Sequence, residues 1–242
     1  MAAGTASFVF LRPLAMGNRR DMPIDPFGTI DPYGSAGRPA SLTASLLVAA
    51  PGLLDPNFGR RVVLVLDHGP HGALGLVINH PGGVQVHELL DQWAALASTP
   101  SEVFTGGPVA RNAIIGLVQL AAEVGGTVDG IGTGESIPEP DGLPEGWRPL
   151  FGTDSRIGTV DVGADPAPVA ASILGVRLFS GYAGWDAGQL ESEIDGGSWY
   201  VVPADEGDPL TDDPGGLWQR VLHRQGGALS VLSRIPVDPS CN

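Results

Sequence analysis

Arg61-Val-Val-Leu-Val-Leu-Asp67 and Ala73-Leu-Gly-Leu-Val-Ile-Asn79 are the two runs of sequence that decide the fold of this chain. Both runs are dominated by β-branched and aliphatic residues, a composition typical of buried strands. The segment between them, His68-Gly-Pro-His-Gly72, carries strong turn residues. Two strands joined by so short a loop predict an antiparallel hairpin.

Further apolar runs lie on both sides of this hairpin. They predict strands at 45–50, 102–105, 113–120, 157–162, 176–180 and 198–202. Patterns of helical spacing and helix-start residues predict helices at 85–97, 165–174, 187–194 and 217–224. Strands mixed with helices and at least one hairpin predict an α+β or mixed α/β fold.

The chain of 242 residues is long enough for one large domain or two small ones. Scattered proline and glycine at 1–40 predict a flexible N-terminal tail, followed by a single domain over 41–242. Residues 123–156 are rich in Gly, Pro, Asp and Glu and predict a long surface excursion.

Charge limits the partners of this protein. Asp and Glu number 27 and the basic residues number 13, all of them arginine, so the formal net charge is −14. Binding to a phosphate backbone requires clustered Lys and Arg, so direct nucleic-acid binding and attachment to an anionic membrane are not expected. A local basic patch is compatible with this net charge.

The single cysteine, Cys241, excludes an intramolecular disulfide and any zinc site with two or more cysteine ligands. No apolar run approaches the ~20 residues that span a bilayer. The N-terminal residues lack the basic start of a signal peptide. We therefore expect a cytoplasmic protein.

Motifs for metals and cofactors are weak. His68 and His71 flank a turn, His80 follows the next strand, and His87 falls on a predicted helix, so no metal site is expected. No Gly-x-Gly-x-x-Gly or Gly-Lys-Ser/Thr motif is present, and no cofactor is expected. Gly106, Gly107 and Pro108 between two strands favour a turn that requires glycine over a ligand contact.

A helix start explains the segment around Trp185. Asp186 is predicted at the N-cap, with Gln189 reaching back to the cap N–H and Leu190 packing on Trp185 as a hydrophobic staple. Glu191 and Glu193 complete an acidic cluster with Asp186. Solvated helix carboxylates are a commoner explanation of such a cluster than acid–base catalysis.

Taken in order, several motifs resemble the YqgE/AlgH family of bacterial proteins. They are Leu54-Asp-Pro-Asn-Phe58, Val62-Val-Leu64, Gly72-Ala-Leu-Gly-Leu-Val-Ile-Asn79 with Pro81, Gly106-Gly-Pro-Val109, Gly181-Tyr-Ala-Gly-Trp185, Gly188-Gln-Leu-Glu191, Trp199 and Asp238-Pro-Ser240 with Asn242. Within the first motif, Asp55, Pro56 and Phe58 are interpreted as structural. The sequence departs from the family at His80, where arginine is more common, and in its extra N-terminal residues 1–40.

The resemblance implies a largely antiparallel, bifurcated sheet with a small barrel-like part, flanked by helices. The family carries a transcriptional-regulator label through a link with alginate production, and no settled activity. The resemblance brings no catalytic residues with it.

Three functions remain open from the sequence. The first is a regulatory protein that acts indirectly, through a protein partner or a small ligand. The second is a hydrolase-like small-molecule enzyme, with His68 as general base in a pocket formed by Asn57, His68, Asn79 and the Gly106-Gly107 backbone. The third is a protein scaffold that uses the 123–156 segment.

Overall fold

A computed structural model of the chain describes residues 41–121, 143–152 and 154–236. The predicted tail at 1–40, the greater part of the 123–156 excursion and the C-terminal residues with Cys241 lie outside the described residues.

The described chain forms strands and short helices in alternation. The strands are β1 Ser45–Ala49, β2 Val62–Gly69, β3 Gly72–Val77, β4 Pro81–Gln85, β5 Glu102–Thr105, β6 Val109–Leu120, β7 Arg148–Pro149, β8 Ile157–Val160, β9 Ile173–Asp186 and β10 Trp199–Pro203. The helices are α1 Val86–Leu89, α2 Asp91–Ala94, α3 Gln189–Asp195, α4 Leu217–Arg224 and α5 Gly227–Leu232, with a 3₁₀ helix at Ala167–Ser172.

The strands form a sheet in the order β10-β1-β2-β3-β9-β6-β8-β7, and β5 joins it by pairing with β4 and β9. The β5–β9 pairing is parallel, whereas the pairings along the main order are antiparallel. The 14-residue strand β9 pairs with β3 near its C-terminal end and with β5 and β6 elsewhere, so the sheet divides there. The α+β prediction with a bifurcated, largely antiparallel and curled sheet is confirmed.

The β2–β3 hairpin is present as the sequence predicts. Its register runs from Val63 opposite Val77 to Gly69 opposite Gly72. Gly72 has φ +127°, and a Cβ there would lie 2.1 Å from the carbonyl oxygen of Trp185. Glycine is therefore required at the point where the hairpin meets β9.

Both faces of the central strands are buried, which explains their continuous apolar character. Leu46 of β1 and Leu64 of β2 pack on one face, in the same cluster as Trp218 of α4. The alternate residues Leu47 and Val63 pack on the other face, against α3 and a group of aromatic side chains. This alternation is the period of two that a strand imposes on its side chains.

The predicted helix over 85–97 is wrong as a single element. Two four-residue helices, α1 and α2, are separated at Leu90, whose dihedral angles (φ −140°, ψ 73°) are not helical. Val86 and Trp93 are buried in the same cluster, while Leu89 remains 50% exposed. Tertiary packing has overridden the helical pattern here.

Two of the other three helix predictions also need correction. At 165–174 the chain forms the 3₁₀ helix and then enters β9 at Ile173, although Asp165 does accept a hydrogen bond from Ala167 N–H at 3.0 Å. Helix α3 begins after Gly188, whose φ is +76°, so Asp186 is the last residue of β9 and not an N-cap. Strand pairing with β3 continues through Asp186 and delays the helix.

No helix within the described ranges is long and apolar enough to cross a bilayer. In the same residues, no cluster of three or more His, Cys, Asp or Glu side chains is arranged to hold a metal ion.

Candidate functional site

A cavity of about 770 Å³ lies where the chain enters β2, next to the start of α4. Its size is within the range of sites that hold small organic molecules. Its lining residues are Pro51, Leu53, Leu54, Gly59, Arg60, Arg61, Asn79, Gly215, Trp218, Gln219, Ile235 and Pro236.

Arg60 is held in the cavity wall by its backbone and its side chain. Its φ of +55° is in the left-handed region that residues other than glycine seldom adopt. Its guanidinium carbon lies 4.4 Å from the centroid of the Trp218 ring, and Nη2 donates to the carbonyl of Pro236 at 2.6 Å. Its Nη1 is buried and has no hydrogen-bond partner among the described residues.

Arg61 presents a second cationic group to the same cavity. Its Nε is also buried without a partner in the described part of the chain. Burial lowers the pKa of both Arg60 and Arg61 from the ordinary value. Within residues 41–121, 143–152 and 154–236, the cavity lining contains no carboxylate to compensate these two charges.

Asn79 is 5% exposed, and its side chain connects the backbone groups on either side of Arg61. Its Nδ2 donates to the carbonyl of Arg60 at 3.0 Å, and its Oδ1 accepts from the N–H of Val62 at 2.9 Å. The side chain thus takes the place of strand pairing at the point where β2 begins. We interpret Asn79 as a positioning residue for Arg60.

Nearby positive charge affects the pKa of His80, which lies on this side of the molecule. Burial lowers its pKa, and the charges of Arg61 and Arg111 lower it further. The electrostatic potential beside Arg61 is therefore locally positive in a chain whose formal net charge is −14.

The other residues predicted near Asn79 have local structural partners. Asn57 donates its N–H to Oδ1 of Asp55 at 2.8 Å, forming an Asx turn through Pro56 that precedes the buried Phe58. These residues lead directly into Gly59 and Arg60 at the cavity wall.

Gly106 and Gly107 lie at close backbone crossings. The carbonyl of Gly106 accepts from Val77 N–H at 2.8 Å, and a Cβ on Gly106 would lie 2.3 Å from the oxygen of Gly181. A Cβ on Gly107 would lie 2.2 Å from the carbonyl carbon of Tyr182. Both glycines therefore allow strands to approach closely, and the half-buried Pro108 follows them.

His68 is at the other end of the β2–β3 hairpin from Asn79. It pairs with Ala73, and the six residues from Ala73 to Asn79 span roughly 20 Å at ~3.3 Å per residue. The hairpin therefore separates His68 from Asn79, which the enzyme hypothesis places around one pocket.

Both ring nitrogens of His68 are engaged. Nδ1 accepts from the N–H of Leu42 at 3.1 Å, and Nε2 lies 3.0 Å from Oε1 of Glu191. An Nδ1 that accepts a hydrogen bond places the proton of a neutral ring on Nε2. With its side chain only 8% exposed, His68 offers no free lone pair to a substrate.

The segment around Trp185 forms a compact aromatic group. Phe58 lies 6.3 Å from Trp185 and 5.5 Å from Trp199, centroid to centroid. Leu190 belongs to the same buried cluster as Trp185. The Oε1 of Gln189 accepts from the N–H of Asp186 at 3.1 Å, which is the predicted reach-back contact without an Asp186 cap.

Glu193 is the carboxylate of the acidic cluster with the most direct structural role. Its Oε2 accepts from the indole N–H groups of Trp185 at 3.0 Å and Trp199 at 2.9 Å. Its Oε1 accepts from Nε2 of Gln189 at 3.0 Å. Glu193 thus organises the aromatic group through three hydrogen bonds.

Sequence reasoning missed Arg177, a guanidinium in the middle of β9 that is 1% exposed. It donates to the carbonyls of Thr211 at 2.8 Å and Thr99 at 2.6 Å, and its guanidinium carbon lies 4.3 Å from the centroid of Phe104. Burial lowers its pKa to about 10 against the opposing charge of Asp212. Arg177 remains charged near neutral pH and ties β9 to two loops.

This chain is similar to known proteins over most of the residues described above. The AlgH-like family model (DUF179) matches residues 46–230. A UPF0301 protein of Streptomyces avermitilis is 44% identical over 203 residues, covering 84% of this chain and 96% of that protein. A UPF0301 protein of Mycobacterium tuberculosis is 40% identical over 198 residues, covering 82% of this chain and 89% of that protein.

Two solved structures share the architecture. Protein DIP2367 of Corynebacterium diphtheriae gives a TM-score of 0.65 at 28% identity, covering 82% of this chain and 93% of that one. The AlgH protein of Pseudomonas aeruginosa gives a TM-score of 0.54 at 28% identity, covering 83% of this chain and 97% of that one. The sequence match over most of the described residues and the shared fold establish that the chain belongs to the AlgH-like family.

Proposed function

We propose that this protein is a regulator that acts by binding, through a small ligand or a protein partner, and not by catalysis or direct contact with nucleic acid. The observation that carries the proposal is the composition of the Arg60–Arg61 cavity. Among the residues that the structure describes, its lining contains no carboxylate, imidazole, thiol or hydroxyl side chain that could act as acid, base or nucleophile. Between the two binding modes, a concave, partly open cavity of about 770 Å³ favours a small ligand, because its volume is in the range of small-molecule sites.

The cavity is also a poor match for nucleic acid. Two arginines neutralise about two phosphates, whereas duplex-binding proteins typically contact about 6–10. The formal net charge of −14 repels a polyanion from the rest of the surface. A regulator built this way would influence transcription indirectly.

The geometry of His68 argues against the hydrolase alternative. A general base needs a lone pair within hydrogen-bond reach of its substrate. Both nitrogens of His68 are already engaged by Leu42 and Glu191. The proposal places the protein in the cytoplasm, on the basis of one cysteine in 242 residues.

The test is titration of the full chain onto a fluorescently labelled DNA duplex at about 50 mM salt, followed by anisotropy. We expect no saturable binding up to about 10 µM protein, a concentration in the middle of the range of ordinary non-specific dissociation constants. Tight binding that weakens steeply with added salt would refute an indirect mode of action.

A further inference from the structure

We propose that the Arg60–Arg61 cavity binds a small organic oxyanion, with a carboxylate or phosphate group against the two guanidinium groups and an apolar body against Leu54 and Ile235. This inference rests on the proposed function and names the class of ligand for the same site.

The first support is the pair of unused donors. Buried polar atoms in folded proteins nearly always have a hydrogen-bond partner. Arg60 Nη1 and Arg61 Nε have none among the described residues and are themselves shielded from solvent, just behind the wall of the one cavity that both side chains line. Guanidinium N–H groups are suited to oxyanions because several donors lie in one plane.

The second support is the contrast with neighbouring arginines on α4. Arg220 pairs with Asp213, and Arg224 pairs with Asp205 at 3.0 Å and Asp208 at 2.6 Å. Each of those guanidinium groups thus has its own carboxylate within the chain. The two cavity arginines have no such carboxylate in the part of the chain that the structure describes, which leaves their charge for a ligand to neutralise.

The third support is the electrostatic effect on His80. Positive charge from Arg61 contributes to holding the pKa of this imidazole below its ordinary value, after the larger effect of burial. An anion bound at Arg61 would reduce this positive potential. Because charged groups in proteins are ordinarily paired or solvated, we expect an anion to occupy the site beside these guanidinium groups.

The apolar part of the ligand follows from the rest of the lining. Leu54 is 87% exposed and Ile235 is 37% exposed, although both line a concave site. Pro51, Leu53 and Pro236 extend this apolar wall. A cavity of about 770 Å³ exceeds what an inorganic ion needs, so we expect an anion that carries a hydrocarbon or ring portion.

The experiment is a titration of the ¹⁵N-labelled full chain, monitored by NMR and calorimetry, with four probes. The probes are sodium octanoate, octyl phosphate, inorganic phosphate and the neutral octanamide. We expect octanoate or octyl phosphate to bind and to shift the amide resonances of Arg60, Arg61 and Trp218. Octanamide and inorganic phosphate should each bind at least ~10-fold more weakly, because octanamide lacks the negative charge and inorganic phosphate lacks the apolar body.

Variants locate the interaction. Arg61→Gln removes one guanidinium and should weaken octanoate or octyl phosphate at least ~10-fold, the ordinary effect of losing a charge-assisted hydrogen bond. Leu54→Asp changes an exposed side chain that folding does not require, and should weaken the same probes through loss of apolar contact and added negative charge. Arg148→Gln, an exposed arginine of β7, is the matched control and should leave binding unchanged.

Each other outcome overturns the inference in a distinct way. Equal binding of octanamide would show that the site takes a neutral ligand, and the proposed binding function would survive. Equal binding of inorganic phosphate would remove the apolar part. This ligand class would be refuted if neither octanoate nor octyl phosphate binds. It would also be refuted if Leu54→Asp and Arg61→Gln both leave the affinity for these probes unchanged.

Discussion

The side-chain amide of Asn79 donates a 3.0 Å hydrogen bond to the backbone carbonyl of Arg60, whose φ is +55°. The same side chain accepts from Val62 N–H, so it bridges the residues on either side of Arg61. Backbone strain of this kind persists only where the surroundings hold it. Asn79 therefore links the end of the hairpin to the geometry of the cavity.

We expect Asn79→Ala to lower the free energy of unfolding by about 1–3 kcal/mol, because two buried backbone groups lose their partner. It should also weaken octanoate or octyl phosphate binding, since Arg60 loses its support. Urea unfolding and calorimetry measure the two effects. Asn112→Ala is the control, because Asn112 is exposed and outside this cavity. Wild-type stability in Asn79→Ala would contradict the positioning role.

The pKa of His80 reports the charge at Arg61. Burial lowers this pKa first, and the charges of Arg61 and Arg111 lower it further. We therefore expect Arg61→Gln to raise the His80 pKa in an NMR titration of the imidazole resonances, whereas Arg148→Gln should not move it. An unchanged His80 pKa in Arg61→Gln would mean that burial and Arg111 lower it without a contribution from Arg61.

The same imidazole predicts a pH dependence of stability. The folded-state pKa of His80 lies below the ordinary value of 6.5, so the unfolded chain binds a proton before the folded chain does. The contribution to stability is complete above pH 6.5 and is lost as the pH falls toward the folded-state pKa. His80→Gln removes this dependence.

Urea unfolding at about pH 7.5 and about pH 5.5 measures the difference between the two proteins. We expect the wild-type protein to lose more stability over this interval than His80→Gln, because the variant has no imidazole at that position. An equal loss in both proteins would show that His80 does not titrate differently on folding.

Glu193 offers a test of the aromatic group. It accepts from two indole N–H groups on one oxygen and from Gln189 on the other. A glutamine at this position has one oxygen and one NH2 group. In either orientation of its amide, the NH2 group would face an N–H group that needs an acceptor. We expect Glu193→Gln to cost about 1–3 kcal/mol of stability. The exposed Glu88→Gln is the comparison in the same urea measurement, and equal stabilities would contradict this account.

Much of the fold follows from local patterns. The β2–β3 hairpin and helix α4 agree with the sequence because strand periodicity, turn residues and a helical stripe act within a few residues. The division of 85–97 into two helices could not be predicted in this way. The break falls at Leu90, and residues 85–97 contain no proline or glycine that would signal it, whereas the cluster that buries Val86 and Trp93 is formed by distant strands.

The candidate site is harder to infer from the sequence. Asn79 was identified as a contact residue, but its partner Arg60 was not, because the hydrogen bond joins residues that face each other only after the hairpin forms. Trp218 comes from an element more than a hundred residues away. The available signal was the pair Arg60-Arg61 in an acidic chain, directly before a buried strand.

Arg177 stands in an apolar strand where the sequence gives no hint of a role, and its structure makes a strong prediction. Its guanidinium donates to the carbonyls of Thr99 and Thr211, which are backbone groups that no substitution can remove. Arg177→Met keeps much of the side-chain volume but leaves both carbonyls buried without these donors. We expect a loss of about 2–5 kcal/mol, the sum of two unsatisfied groups less a gain from the apolar side chain.

Urea unfolding of Arg177→Met beside Arg148→Met separates this effect from a general effect of removing arginine, because Arg148 is exposed on β7. The Arg148 variant should stay within about 0.5 kcal/mol of wild type, as surface substitutions ordinarily do. Arg177→Lys should fall between the two, because a single ammonium group keeps the charge but lacks the planar fork that reaches both carbonyls. If Arg177→Met were as stable as wild type, the two hydrogen bonds would be contributing nothing to the attachment of these loops to β9.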